Sequence, residues 1–362
     1  MKKRWITICL ALIFALTPSS AGFLDITDRT LAQNASILDA LGIMQGIGND
    51  QFDPAGSLTR AQFCKIAVTA MGVSDVSAYK NFTIFPDVKN THWAAAYVNA
   101  AVRHPDLRER AVIRGYVDGT FGPDRAVNYG EVCTMLLRML GYTEEDVGLF
   151  WPADYIAKAE ELGLTDGVSI SDAKAVVKRS DAATMLVNVL TVPVKDSQDA
   201  VLLDGLVSEK VDGCILLATS DTNNLFADSE ALFYEDGVIS GIPRQTVGTL
   251  DSAMIGVYGT MLLKDGAVAG IVPDKNSRVE VYEVISVSAS EIQTSTQTIR
   301  PAENAHIYVD SVGASVGTFG ELWSSIQPGD TLRVYFDATG AQQLMAVLSN
   351  ARPHAVSFMY HV

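Results

Sequence analysis

Apolar residues in the N-terminal half of the chain return every three or four positions in two similar stretches. In LTRAQFCKIAVTAMG they are Phe63, Ile66, Ala67 and Ala70, and in VNYGEVCTMLLRMLG they are Met135, Leu136, Met139 and Leu140. This spacing places them on one face of an α-helix in each stretch. Thr59, followed three residues later by Gln62, has the spacing of a capping box and predicts where the first helix begins.

A glycine-rich loop precedes each of these helices. IMQGIGNDQFDP and VIRGYVDGTFGPD both have Phe six residues and Pro eight residues after a glycine, which is Gly46 in one and Gly115 in the other. We expect Phe52 and Phe121 to fill the core beneath the loops, so the loops are explained as turns even without a ligand. A third, weaker copy has Gly167, lacks the Phe-x-Pro pattern and is shorter by two residues.

The same motifs therefore recur in three units. A unit of two helices and a loop cannot bury its apolar face alone, so three units are predicted to share one core. After TVPVKDSQDA the chain changes to β-branched and aromatic segments such as SRVEVYEVISV and TLRVYFDA, which alternate with period two. The predicted fold class is multidomain, with an all-α array of helical repeats followed by a mostly-β small barrel or sandwich.

These patterns divide the chain into predicted regions. They are a signal segment at 1–21, helical units at 22–84, 85–146 and 147–193 (the last degenerate), a linker at 194–200, and a β-rich region at 201–362 as one domain or two small barrels.

The first residues have the composition of a secretory signal. Lys2, Lys3 and Arg4 form a basic start, residues 5–16 are apolar, and small residues lead to an expected cleavage after Ala21. The apolar run is too short to span a bilayer as a stable helix. A retained membrane anchor is the less favoured alternative, because no second apolar segment supports it. We expect no integral membrane span once the signal is cleaved.

Charge limits the partners of this chain. It has 27 Lys and Arg against 42 Asp and Glu, a formal net charge of −15. Such a chain should not bind nucleic acid or an anionic membrane through its general field. An anionic ligand would need a few locally placed Arg or Lys side chains.

Neither the cysteines nor the motif search points to a catalytic or metal site. Cys64, Cys133 and Cys214 remain after signal cleavage, and their odd number and wide spacing fit buried hydrophobes better than disulfides or a metal site. No GxSxG, HExxH or Walker motif is present. Acid pairs such as Glu230 and Glu235 could serve glycoside hydrolysis, but coincidences are expected in so acidic a region. We predict no enzyme activity, no cofactor and no metal.

Taken together, the motifs resemble the S-layer homology family. The resemblance is carried by the starts FLDI and FPDV, by HWAAAYV, by GYVDGTFGPD and by LTRAQF, and it covers roughly residues 23–193. It implies a three-pronged pseudo-trimer of helical repeats with grooves between neighbouring prongs. It also implies a secreted protein of the cell wall or S-layer, attached non-covalently to secondary cell-wall polysaccharide that carries ketal-linked pyruvate.

The resemblance also implies site residues. Those that line the family's grooves correspond here to Arg60 and Arg179, to Gly46, Gly115 and Gly167, to Asp25 and Asp87, and to Trp93 and Trp151. Arg can clamp a pyruvyl carboxylate with two parallel hydrogen bonds, loop amides add donors, and an indole face can stack on a sugar ring.

Two positions depart from the family's pattern. Tyr129 replaces the arginine in the second unit, and Leu31 stands in the first unit where Trp93 stands in the second. We therefore expect one groove that combines Arg60 with Gly46 and the region of Asp87 and Trp93, and a second groove that uses Arg179.

Several alternatives stay open at this point. The aspartates could cap helices, the indoles could be core residues, and the arginines could form weak surface ion pairs. At the level of the whole protein, the alternatives are a wall-anchored enzyme acting on carbohydrate from its β region and a repeat scaffold that binds only protein. Self-association in a surface layer is a further possibility.

Overall fold

A computed structural model describes the helical units and most of the β region. The described residues are 22–220, 226–235, 238–239, 242–310, 315–337, 339–340 and 342–348. The predicted signal segment lies outside them. Within the described part, no helix combines the length and apolarity needed to cross a membrane.

Helices dominate the described chain up to Thr191. They are α1 (Arg29–Ala40), α2 (Arg60–Ala70), α3 (Ala95–Arg103), α4 (Pro105–Arg110), α5 (Tyr129–Met139), α6 (Glu144–Val147), α7 (Ala153–Glu161) and α8 (Arg179–Thr191). The predicted capping box is confirmed, since Thr59 and Gln62 bond reciprocally at the start of α2. The predicted core residues Phe52 and Phe121 are completely buried.

The three units are joined in a ring through the short stretches that precede α2, α5 and α8. These stretches form three isolated β-bridges, which pair Thr59 with Ala126, Asn128 with Val176, and Ser57 with Lys178. The first amide of each helix then donates to the loop of another unit: Arg60 to Arg125, Tyr129 to Ala175, and Arg179 to Gly56. Each unit is therefore bonded to both others.

Strands follow in two sheets. They are β1 (Glu209–Thr219), β2 (Glu230–Glu235), β3 (Val238–Ile239), β4 (Arg244–Gln245), β5 (Tyr258–Lys264), β6 (Ala267–Pro273), β7 (Arg278–Val287), β8 (Ile292–Thr294), β9 (Thr298–Ile299), β10 (His306–Asp310), β11 (Ser315–Thr318), β12 (Thr331–Phe336) and β13 (Gln342–Leu348). The short helix α9 (Phe319–Leu322) lies between β11 and β12.

The strand order is β3-β2-β1-β5-β6 in the first sheet, with β4 also pairing with β2, and β11-β10-β13-β12-β7-β8-β9 in the second. Every described pair is antiparallel except β10 with β13. The strand-rich region is thus confirmed, but its described strands form two sheets and neither closes into a barrel. Side chains of both sheets share one apolar cluster, in which Leu217 and Tyr234 of the first meet Tyr308 and Leu344 of the second.

The first sheet packs directly on the helical units. Ile37 of α1 belongs to the same buried cluster as Met254, Met261 and Val268 of the strand region. Gln33 of α1 donates to the carbonyl oxygen of Ala253 at 2.7 Å. The helical and strand regions therefore share a core at α1, although a linker separates them in the sequence. The unit and linker boundaries drawn from the sequence stay predictions.

Candidate functional site

A groove of about 450 Å³ lies where the three helical units meet. We call it the Arg60 groove. Its lining residues are Arg60 of the first unit; Val112, Arg114, Gly115, Tyr116, Val117, Glu131, Thr134, Met135 and Arg138 of the second; and Glu144, Gly148, Leu149, Trp151 and Tyr155 that follow.

Arg60 enters this groove because its helix begins against the loop of the second unit. Its Nε donates to the carbonyl oxygen of Phe121 at 3.0 Å, and its Nη2 donates to that of Arg114 at 2.7 Å. Its Nη1 lies 3.7 Å from a carboxylate oxygen of Glu131. The residue is only 6% exposed. The guanidinium is thus held rigidly in place by the backbone of a neighbouring unit.

The two hydrogen bonds to carbonyl groups do not use every donor of this guanidinium. A guanidinium has five N–H donors, and among the described residues only two of them make hydrogen bonds. Its carbon lies 4.7 Å from the ring centre of Tyr116. The ring limits water on that side and strengthens a charge–charge contact made there. Arg60 therefore holds the loop and also lines the groove, with Nη1 facing Glu131.

Trp151 forms another wall of the Arg60 groove. Its Nε1 donates to the hydroxyl of Thr134 at 3.0 Å, which fixes the indole edge. The residue is nevertheless 56% exposed. A fixed and exposed indole suits stacking on the apolar face of a sugar ring. Trp93 is also exposed, but it does not line this groove. Neither indole is a plain core residue.

Asp87 supports the loop from the side opposite Arg60. Its carboxylate accepts from the amides of Phe121 at 2.9 Å and Gly122 at 2.7 Å. Arg60 accordingly binds the carbonyl of Phe121 while Asp87 binds its amide. Asp87 therefore positions the glycine loop and does not cap a helix here.

Arg179 forms an equivalent set with the loop of the first unit. Its Nε donates to the carbonyl oxygen of Phe52 at 2.7 Å, and its Nη2 donates to that of Gln45 at 2.8 Å, beside Gly46. Asp25 accepts from the amide of Phe52 at 2.8 Å. Burial raises the pKa of Asp25, but the hydrogen bonds from backbone amides outweigh it and bring the pKa below 3.8.

The structure therefore changes the expected grouping of the site residues. Arg60 lies with Gly115, Asp87 and Trp151, so its predicted combination with Gly46 and Trp93 is wrong. The physical reason is that each arginine begins a helix whose amides bond to the loop of another unit and not to its own loop. Arg179 is the residue that lies beside the loop of Gly46.

The third junction lacks an arginine. Tyr129 starts α5 there and is 2% exposed, and burial raises its pKa to about 12. Its hydroxyl lies in hydrogen-bonding contact with Thr165, near the loop of Gly167. A neutral phenol cannot clamp a carboxylate as a guanidinium does. Tyr129 therefore cannot give the loop of Gly167 the charged partner that Arg60 and Arg179 give the other two loops.

Sequence reasoning missed two cationic residues of the Arg60 groove. Arg114 pairs with Glu144 at 2.8 Å. Arg138 lies on the face of α5 that lines the groove. Burial lowers the pKa of its guanidinium, and repulsion from Arg114 lowers it further. Its spacing of seven residues from Glu131 would have placed both on one helix face. Arg114 carried no such signal beyond standing next to Gly115.

Comparison with known proteins identifies the repeats. The S-layer homology domain model matches residues 35–64 and 106–133, so the predicted repeats are confirmed at these two positions. The middle cell wall protein of Brevibacillus brevis is 33% identical over 166 residues, which are 46% of this chain and 15% of that protein. The cell surface protein of Thermoanaerobacter kivui is 27% identical over 254 residues, which are 66% of this chain and 32% of that protein.

A third relative is named for anchoring. The cellulosome-anchoring protein of Acetivibrio thermocellus is 28% identical over 158 residues, which are 40% of this chain and 34% of that protein. The chain thus spans about a third or less of the length of each of these relatives. Their similarity indicates a secreted, cell-surface location, as predicted.

Proposed function

We propose, on the premise that residues 35–64 and 106–133 are S-layer homology repeats, that the chain anchors an exported protein non-covalently to secondary cell-wall polysaccharide. The Arg60 groove is the binding site, and the pyruvylated form of the polymer is its ligand. The observation that carries this proposal is a guanidinium, an exposed indole and a glycine loop on the walls of one groove.

The chemistry of the groove suits an anionic sugar. Free N–H donors of Arg60 would bind the pyruvyl carboxylate, and the indole of Trp151 would stack on the ring that carries it. Because the whole chain has a net charge of −15, attraction must come from local cations. Arg114 and Arg138 line the same groove as Arg60, so three guanidinium groups there outnumber the two carboxylates of Glu131 and Glu144.

A second groove is proposed around Arg179, Gly46 and Asp25. The hydrogen bonds of Arg179 to Phe52 and Gln45 match those of Arg60 to Phe121 and Arg114. Equivalence of the repeats assigns Trp93 to it, in the role that Trp151 has in the Arg60 groove. The β-bridges link the three units in a ring, which supports a pseudo-trimer. In a pseudo-trimer the residues of one groove correspond to residues of the next, and this correspondence assigns Trp93.

The strand region is proposed to be displayed by this anchor without catalytic activity of its own. The acid pair noted in the sequence is held in surface hydrogen bonds: Glu235 accepts from Arg244 at 2.8 Å, and Glu230 accepts from Gln245 at 3.0 Å. A wall-anchored enzyme is the alternative function. Self-association in a surface layer stays a prediction.

Sedimentation with purified cell-wall sacculi tests the proposal. The mature chain is mixed with intact sacculi and with sacculi stripped of the pyruvylated polymer. We expect it to pellet only with the intact sacculi. If it stays in solution in both cases, the repeats act as a protein scaffold. If it pellets equally in both cases, the polymer is not its ligand.

A further inference from the structure

The Arg60 groove follows helix α5 for two turns. Glu131 and Arg138 both line it, seven residues apart on that helix. Seven residues correspond to a rise of about 10 Å along the helix axis. Arg60 lies at the Glu131 end, where its Nη1 is 3.7 Å from the carboxylate. Arg138 lies at the other end, so the groove has a guanidinium at each end.

The indole of Trp151 lies between these two ends. Its Nε1 donates to the hydroxyl of Thr134 at 3.0 Å, and Thr134 stands between Glu131 and Arg138 on α5. The groove volume of about 450 Å³ is within the range of roughly 300–1,000 Å³ that is typical of ligand sites. A sugar stacked on this indole would therefore have a cationic side chain towards each of its ends.

Charge is balanced at one end of the groove and unbalanced at the other. The Glu131 carboxylate faces Arg60. At the opposite end Arg114 pairs with Glu144 at 2.8 Å. Arg138 is half-buried and, among the residues that the structure describes, forms no ion pair with a carboxylate. Two guanidinium groups therefore share a single carboxylate at this end.

The guanidinium of Arg138 lies among other residues of the groove. It is hydrogen-bonded to the side chain of Tyr155 and interacts with the charges of Arg114 and Glu144, and all three residues line the groove. Burial lowers the pKa of Arg138, repulsion from Arg114 lowers it further, and the attraction of Glu144 only partly offsets them. A second carboxylate beside Arg138 would favour its charged form.

Glu144 shows which chemical group this end of the groove accommodates. Its carboxylate contacts the Arg114 guanidinium, and the two side chains are 57% and 53% exposed. An ion pair as exposed as this one contributes little free energy. A carboxylate brought by a ligand can therefore take the place of Glu144 at small cost.

We propose that Arg114 and Arg138 form a second carboxylate-binding subsite of the Arg60 groove, for which Glu144 competes with the ligand. This inference rests on the proposed function, and it adds that the polymer is bound through two carboxylates. The first is the pyruvyl group at the Arg60 end, and the second is the pyruvyl group of the next repeat of the polymer. The second carboxylate accepts hydrogen bonds from both guanidinium groups.

Charge variants in α6 test the competition. Affinity is measured by sedimentation with intact sacculi over a series of protein concentrations. Glu144→Gln should tighten binding about two- to fivefold, because the ligand no longer displaces an exposed ion pair. Glu145→Gln is the matched control, since Glu145 is exposed, carries the same charge and does not line the groove. No gain in Glu144→Gln, or an equal gain in both variants, would overturn the proposal.

Arginine variants test the subsite itself. Arg114→Gln should weaken binding about tenfold, while the backbone carbonyl of Arg114 still accepts from Arg60. Arg138→Gln should weaken it similarly, and Arg103→Gln, exposed and outside the groove, should not. Unchanged binding by either groove variant would refute the subsite while leaving the proposed function intact. If the unmodified chain does not pellet with intact sacculi, the proposed function fails and the subsite fails with it.

Fragments of the polymer test the second carboxylate. Fragments with one ketal and with two ketals are released by partial hydrolysis, separated, and used to compete with intact sacculi. The gain of Glu144→Gln over Glu145→Gln should appear with the two-ketal fragment and be absent with the one-ketal fragment. An equal gain with both fragments would show that one carboxylate is enough, contrary to the proposal.

Discussion

The Nε of Arg60 donates to the carbonyl oxygen of Phe121 across 61 positions of sequence, at 3.0 Å. One residue of the first unit thus fixes the loop of the second. The glycine loop is therefore both a structural turn and a wall of a groove, because the arginine that shapes it also lines the space beside it. Structural and binding roles of Arg60 must be measured separately.

The structural role predicts a loss of stability. Arg60→Ala leaves two carbonyl groups, those of Phe121 and Arg114, without their charged donor. We expect the free energy of unfolding to fall by about 2–4 kcal/mol, as for other buried hydrogen bonds to charged groups. Urea denaturation measures the change. Arg103→Ala, at an exposed position on α3, should alter stability by less than about 0.5 kcal/mol, and an equal loss in both variants would refute the structural role.

The binding role is better tested at Trp151. Trp151→Ala removes the exposed indole, and we expect polymer affinity in the sacculus assay to fall about tenfold, as for aromatic residues at the centre of an interface. Phe150→Ala is the matched control, because Phe150 is an exposed neighbour that does not line the groove. Similar losses in the two variants would show that the indole has no specific contact with the polymer.

An ion pair at the end of the helical region predicts a dependence on acid. The Lys195 ammonium lies 2.6 Å from a carboxylate oxygen of Asp146. The hydrogen bond from this ammonium is the largest cause that lowers the pKa of Asp146 from 3.8 to about 2, and the hydrogen bond from the Thr143 amide is the next largest. A carboxyl whose pKa is lower in the folded state stabilises the fold above pH 4. This contribution is lost as the pH falls from about 4 towards about 2.

Asp146→Asn should therefore lower Tm at pH 7 and reduce its further fall between pH 4 and pH 2. Thermal unfolding at these three pH values measures the effect. Asp196→Asn is the control, because Asp196 lies 3.7 Å from the same ammonium but is mostly exposed. If both variants follow the pH dependence of the unmodified chain, the pair with Asp146 contributes nothing.

The cysteines should be inert in the native state. Cys64, Cys133 and Cys214 are free and buried, and burial is the main cause that raises the pKa of each thiol to about 12. A thiol reagent at pH 8 should modify none of them until denaturant is added, because the reactive thiolate is almost absent. Rapid labelling of any of the three without denaturant would contradict the buried arrangement. The reaction is followed by peptide mass spectrometry.

Several features of the fold followed directly from local sequence. The capping box at Thr59 depends on residues three positions apart, and burial of Phe52 and Phe121 depends on an apolar ring beneath a turn. The strands after residue 200 were predicted from period-two alternation. Each of these signals acts within a few residues, so the local sequence is enough to predict it.

Only the tertiary structure showed which arginine lies beside which glycine loop. Repeats that are similar in sequence offer several ways to combine an arginine with a glycine loop, and the local pattern does not distinguish among them. The backbone bonds at the start of α2 and α8 decide the matter, because they direct Arg60 to the loop of Gly115 and Arg179 to the loop of Gly46.

The sequence by itself determined that the chain has helical repeats, a glycine loop in each, and a strand-rich second half. Only the tertiary structure decided which residues share a groove and that Arg29 meets Arg333. The physical reason is that repeats and strands arise from periodic burial within one segment. The grooves, and the shared bonding of Arg29 and Arg333 to the carbonyl oxygen of Ile255, instead depend on contacts between segments up to 304 positions apart. No local periodicity encodes which segments meet.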